Sequence, residues 1–172
     1  MNPLINKNSV LFRLPKNLNS KQRLVLDGIR YSVQIADQSF LSLLNSLFMY
    51  SAIEPTLQSS AAIFANAWSI VDSLTRLDKL LNCLTELHDQ EPIKQFREKA
   101  KIKRMRNHIQ HLDERFDKLV ELRRPTWGTL TWIRFEKDFL KSREFEHHTL
   151  TAGSFQSTFV DCELPTGKIQ VR

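Results

Sequence analysis

The recurrence of apolar positions along the chain separates a long helical stretch from a shorter extended one. Val33, Ala36, Phe40, Leu43, Leu44 and Leu47 recur at three-and-four spacing, which predicts a first helix from about Ser20 to Ser51. Asn19, followed three positions later by Gln22, has the form of a capping box at its start. Gly28 lies inside this helix, where glycine costs about 1 kcal/mol relative to alanine, so a bend or a close contact with a neighbouring helix is its expected role. Phe64, Ala67, Trp68, Val71, Leu74, Leu77, Leu80, Leu81, Leu84 and Leu87 form a second stripe, predicting a helix that ends near His88. Ile93, Phe96, Ala100, Met105, Ile109, Leu112, Phe116 and Leu119 form a third, which stops before Pro125. Glu54-Pro55 and Glu91-Pro92 separate the stripes, because proline disfavours helical geometry in the residue before it yet fits the first turn of a new helix. Helices joined by turns this short pack antiparallel.

Past Pro125 the pattern changes. Thr, Trp, Ile and Phe crowd into Thr126 to Phe135 as in a strand, and a short helical piece is expected from Glu136 to Arg143. Thr149 to Thr151, Ser157 to Cys162 and Lys168 to Arg172 also read as extended, with turn chemistry at Pro165-Thr166-Gly167. The fold class expected is therefore mainly α: an antiparallel bundle of three long helices, or four with shorter pieces, followed by a small C-terminal antiparallel β region. Residues 1–124 are expected to form an N-terminal arm and the helical bundle, and 125–172 a β-rich extension packed on it. With 172 residues, one domain overall is the expected organisation.

Composition narrows the function classes. Cys83 and Cys162 are too few and too far apart for a disulfide framework or a four-thiol zinc site, which fits a reducing compartment. The longest apolar stretch, Phe40 to Ile53, is broken by Ser42, Asn45, Ser46 and Ser51 and falls short of the roughly 20 residues that cross a bilayer, so no membrane association is expected. Met1 to Arg13 lacks the charge pattern of a signal peptide, and a cytoplasmic location is expected. No glycine-rich phosphate loop can be built from four scattered glycines, and neither cysteine has a Lys, Arg or His beside it in sequence. His147-His148 has no spaced third ligand and reads as a pair of loop residues, so no metal site and no cofactor are assigned. Trp127, Trp132 and Phe135 have the rings to stack on bases, although an aromatic strand more commonly packs on a helix.

The net charge of +6 points to an anionic partner, and its placement points further. Between Lys94 and Arg106 seven basic side chains, including Arg97, Lys99, Lys101, Lys103 and Arg104, face a single acidic one, Glu98. Such a run either makes a solvated helix face or neutralises phosphates and releases counterions, as an RNA-binding surface does. It leads directly into Arg106-Asn107-His108-Ile109-Gln110-His111. Cleavage of RNA by its own 2′-hydroxyl needs proton transfer, which histidine supplies near neutral pH, and a fixed cation beside the phosphorus; no metal is required. Asn107 and His111, four apart, share one helix face, so the amide can orient the imidazole or a phosphate oxygen. His108 lies nearer the apolar stripe and reads as a packed histidine.

Arg106-Asn107-x3-His111 resembles the R-x4-6-H motif of the HEPN superfamily, whose ribonuclease members are helical bundles with Asn, Asp or His after the Arg. The resemblance spans roughly Ser20 to Leu122. It implies a HEPN-like bundle that dimerises with two motifs across a cleft, and an acidic residue on an earlier helix supporting the Arg; by position Asp72 is the first candidate and Asp78 the second. It also implies a metal-independent endoribonuclease leaving 2′,3′-cyclic phosphate ends, as a toxin or defence effector that a protein antitoxin can inhibit. Family members paired with nucleotidyltransferases often carry a Tyr two positions after the His; here that position is Asp113, so control by nucleotide transfer to a Tyr is not expected.

Two ambiguities remain within the motif. Arg104-x6-His111 competes with Arg106 for the same histidine: at about 3.6 residues per turn, positions 106 and 111 stand about 140° apart, whereas 104 and 111 nearly align. Arg143-x4-His148 also matches but falls in the extended region. The rival functions are a non-catalytic RNA-binding helical module and a helical protein-interaction partner.

Overall fold

The computed structural model describes residues 4–52, 57–84, 90–100, 106, 112–135 and 145–153. Among them the chain is mainly helical, with α1 (Ser20–Ala52), α2 (Leu57–Leu81), α3 (Glu91–Ala100) and α4 (Leu112–Glu121), followed by β1 (Gly128–Phe135) and β2 (Phe145–Ala152). The capping box closes as its residue types require: Gln22 N–H donates to Asn19 Oδ1 at 2.9 Å, and Asn19 N–H donates to Gln22 Oε1 at 3.1 Å. Two otherwise unsatisfied donors at the start of α1 are thereby paired.

α1 and α2 pack as an antiparallel hairpin with a core at each end. Val25, Ile29 and Leu81 are buried where the start of α1 meets the end of α2, and Leu11, Ile93 and Phe96 close over them. Ile63 and Phe64 are buried where the other ends meet, together with Leu43 and Leu47. Between the two cores the buried positions of α1 are small, Ser32, Ala36 and Ser39, with the Ser39 and Ser69 hydroxyls 2.8 Å apart across the interface. Gly28 permits the close approach: a Cβ there would stand 3.0 Å from Leu80 Cδ1, so the packing role expected of this glycine is the one it has. The N-terminal arm lies along α1, with Leu4 N–H donating to Asp37 Oδ2 at 3.3 Å and Ile5 buried.

The second helix is shorter than its apolar stripe. It ends at Leu81 rather than near His88, because the last turn tightens to three-residue bonds, Cys83 N–H to Leu80 O and Leu84 N–H to Leu81 O. Leu84 still packs on the first core from outside the helix. Where one long third helix is expected, the described residues hold two ten-residue helices, α3 and α4, with Arg106 between them; the intervening residues lie outside those described. α4 ends in a Schellman arrangement, with Arg124 N–H bonded to Leu119 O and Arg123 N–H to Val120 O. Arg123 occupies the left-handed position at φ 48°, and Pro125 follows.

β1 and β2 form a two-stranded antiparallel sheet in the register Gly128 to Ala152 through Phe135 to Phe145. A two-stranded ribbon is marginal in water by itself. Here one face, Leu130, Trp132, Leu150 and Ala152, packs on the second core. Trp132 Nε1–H donates to Ser51 Oγ at 3.0 Å and Arg134 donates to Ser51 O at 2.8 Å, which places a cation at the C-terminus of α1. The ribbon is pinned at its open end by Gly153, whose φ of +69° and contact with Thr126 leave no room for a Cβ. The helical piece expected at Glu136 to Arg143 and the extended segments Ser157 to Cys162 and Lys168 to Arg172 lie outside the described residues.

Candidate functional site

The site is built outward from α2. On an ideal helix Asp72 stands half a turn away from Ile63, so the residue pattern that buries Ile63 in the core presents Asp72 on the opposite face. Its carboxylate meets two guanidinium groups. Arg76, one turn further along α2, donates from Nε to Asp72 Oδ2 at 2.7 Å. Arg106 places its Nε 3.4 Å from Asp72 Oδ1.

These two contacts differ in kind. The Arg76 pair is a well-formed hydrogen bond on a side chain that is 68% exposed, where an ion pair contributes less than about 1 kcal/mol. The Arg106 side chain is only 21% exposed. Its Nε is buried and has no aligned hydrogen-bond acceptor among the described residues, so Asp72 attracts it as a charge without satisfying its N–H.

Of the residues singled out in the sequence, the structure therefore brings Asp72 and Arg106 together. Asp78, the second acidic candidate, belongs elsewhere: it takes Arg97 Nε–H at 3.0 Å, while Arg97 Nη2 donates to Asn82 Oδ1 at 2.6 Å. Arg97 was expected on the phosphate-binding surface, and two of its nitrogens instead fasten α3 to the end of α2. Arg97→Gln is accordingly expected to lower stability by on the order of 1 kcal/mol, about 2–4 °C in Tm for a chain of this size. Thermal unfolding followed by circular dichroism measures this, and an unchanged Tm refutes the fastening role. Lys99 belongs to the last turn of α3. Lys101, Lys103, Arg104, Asn107, His108 and His111 lie outside the described residues.

The paired histidines are a correction. His147 and His148 are not loop residues; both lie in β2, pointing to opposite faces of the ribbon. His148 stacks on Trp132, with ring centroids 5.2 Å apart and planes at 13°, and its Nε2 is 3.2 Å from Glu146 Oε2. Glu146 also meets Arg134 at 3.6 Å. These are cross-strand neighbours, Trp132 opposite His148 and Arg134 opposite Glu146, and their partnership explains the residue types without a ligand. Trp132 is engaged in the core, whereas Trp127 and Phe135 are exposed.

Among the described residues no group of three His, Cys, Asp or Glu side chains is arranged to hold a metal ion, and no helix is long and apolar enough to cross a membrane. Cys83 is a free, exposed thiol in the turn after α2. No protein-family model, curated protein or solved structure matches this chain significantly, so its chemistry has to follow from its own side chains.

Proposed function

We propose that the protein is a metal-independent endoribonuclease of HEPN type, acting in the cytoplasm as a homodimer, with a role as a toxin or defence effector restrained by a protein antitoxin. In this mechanism the 2′-oxygen of RNA attacks the adjacent phosphorus, the bond from phosphorus to the 5′-oxygen breaks, and a 2′,3′-cyclic phosphate is left. His111 serves as general acid or base, taking the proton of the 2′-hydroxyl or returning one to the departing 5′-oxygen. Arg106 stabilises the charge gathering on the phosphorane oxygens, and Asn107 orients the reacting groups. Lys99, Lys101, Lys103 and Arg104 hold the RNA backbone, and Arg97 anchors the first turns of that basic segment to α2.

The observation that carries the reading is the ion pair between Asp72 and Arg106. In HEPN proteins an acidic group from an earlier helix often supports the motif Arg, and this chain has such a contact at the Arg that begins Arg106-Asn107-x3-His111.

The test is cleavage of an end-labelled single-stranded RNA in excess chelator. Products ending in 2′,3′-cyclic phosphate, with a 2′-deoxy oligonucleotide left uncut, are the expected result. Salt-sensitive binding without products selects a non-catalytic RNA-binding module instead.

A second reading, a helical protein-interaction partner, is favoured by apolar side chains left in solvent. Phe40, Leu41, Leu44 and Phe48 on α1 and Phe116 and Val120 on α4 are exposed, more than scattered single residues account for. Absence of any RNA binding at low salt selects that reading.

A further inference from the structure

We infer that Arg76 of α2 is a second phosphate-binding residue of this site, holding the RNA phosphate next to the scissile one. The inference rests on the ribonuclease reading above and adds to it a side chain that no sequence motif marks.

Its basis is the charge and geometry around Asp72. One carboxylate serves two guanidinium groups, so the three side chains carry one net positive charge. Both groups approach through Nε: Arg76 to Oδ2 and Arg106 to Oδ1. A guanidinium has five N–H donors in a rigid fork, and a side-on contact through Nε leaves the end-on pair of nitrogens uncommitted. Among the described residues those terminal nitrogens of Arg76 and Arg106 meet no acceptor. One carboxylate thus sits between two guanidinium groups, each a planar fork of the kind that gives phosphate oxygens pairs of N–H bonds.

The two arginines differ in burial, and this assigns their roles. Arg106, at 21% exposure and 3.4 Å from Asp72 Oδ1, is the more enclosed of the two, and its role is to act on charge that develops only in the transition state. Arg76, at 68% exposure, is oriented but solvated. A solvated fork binds a ground-state phosphate and sets the register of the strand, contributing equally to substrate and transition state. If Arg76 served only as a surface partner for Asp72, its pair would be worth less than about 1 kcal/mol and its loss would be confined to stability.

The experiment compares wild-type protein with Arg76→Gln and Arg76→Lys, using a short single-stranded RNA for cleavage and a non-cleavable 2′-O-methyl version for binding. Arg76→Gln is expected to raise KM about tenfold, with kcat falling far less, and to reduce the slope of log binding constant against log salt by about 0.7. Arg76→Lys restores the salt slope, because the charge returns, but only part of the KM, because the fork does not. A wild-type protein that neither binds nor cuts RNA overturns both this inference and the reading beneath it. Wild-type cleavage with KM and salt slope unchanged in Arg76→Gln overturns this inference alone, and a fall in kcat at constant KM does the same by moving Arg76 into the chemical step.

Discussion

His111→Ala is expected to lower RNA cleavage by about 10²–10⁴-fold while leaving RNA affinity and helical content as they are. The size follows from what the imidazole supplies: proton transfer in the transition state, which alanine cannot replace and water replaces poorly. In the proposed mechanism affinity comes from Lys99, Lys101, Lys103 and Arg104, which the substitution leaves in place, so it is expected to be spared. His108→Ala is the natural control. By sequence spacing alone, His108, three residues after Met105 and four before Leu112, is expected on the apolar side of the segment, whereas His111 is expected with Asn107 and Arg104 on the polar side. The control is expected to lower Tm and keep most of the cleavage. Cleavage retained in His111→Ala, or lost equally in both variants, removes His111 from the mechanism.

The parts of the fold that the sequence made legible are those set by local chemistry. α1 runs Ser20–Ala52 against an expected Ser20 to Ser51, because a capping box fixes one end and the sequence pair Glu54-Pro55, which disfavours helix, follows the other. β1 runs Gly128–Phe135, inside the expected Thr126 to Phe135, since aromatic and β-branched residues crowd there. The end of α2 was misplaced for a physical reason: apolar periodicity reports burial, and burial continues through Leu84 after the helical backbone has stopped at Leu81. β2 was seen only at Thr149 to Thr151 because Glu146, His147 and His148 have no strand signature of their own. Their place in the sheet is secured by partners more than ten residues away, Arg134 and Trp132, which no local pattern reveals. The same division holds at the site. Asp72 was reachable by its position in the second helix, and it does contact Arg106, but Arg76 carries no motif and emerges only from the shared carboxylate.

Arg106→Gln is expected to reduce kcat by about 10²–10³-fold, the range found when one preorganised donor to a developing oxyanion is removed. The competing candidate is Arg104, which on a straight helix lines up with His111 while Arg106 stands about 140° away. Contact with Asp72 argues for Arg106, because a guanidinium on a flexible stem needs a fixed counter-charge before it can be preorganised, and α2 supplies one here. A homodimer removes the angular objection, since the Arg of one copy can act on the phosphate that the His of the other copy addresses. Arg104→Gln is then expected to weaken binding and reduce the salt slope by about 0.7 without a comparable loss in kcat. Arg106→Lys is expected to behave like Arg106→Gln, because a point charge cannot give two parallel N–H bonds. Asp72→Asn, which keeps the shape and loses the charge, should fall between wild type and Arg106→Gln. Single-turnover cleavage rates for the four variants decide the matter: a larger loss in Arg104→Gln than in Arg106→Gln transfers the role to Arg104 and leaves the Asp72 contact as a structural ion pair.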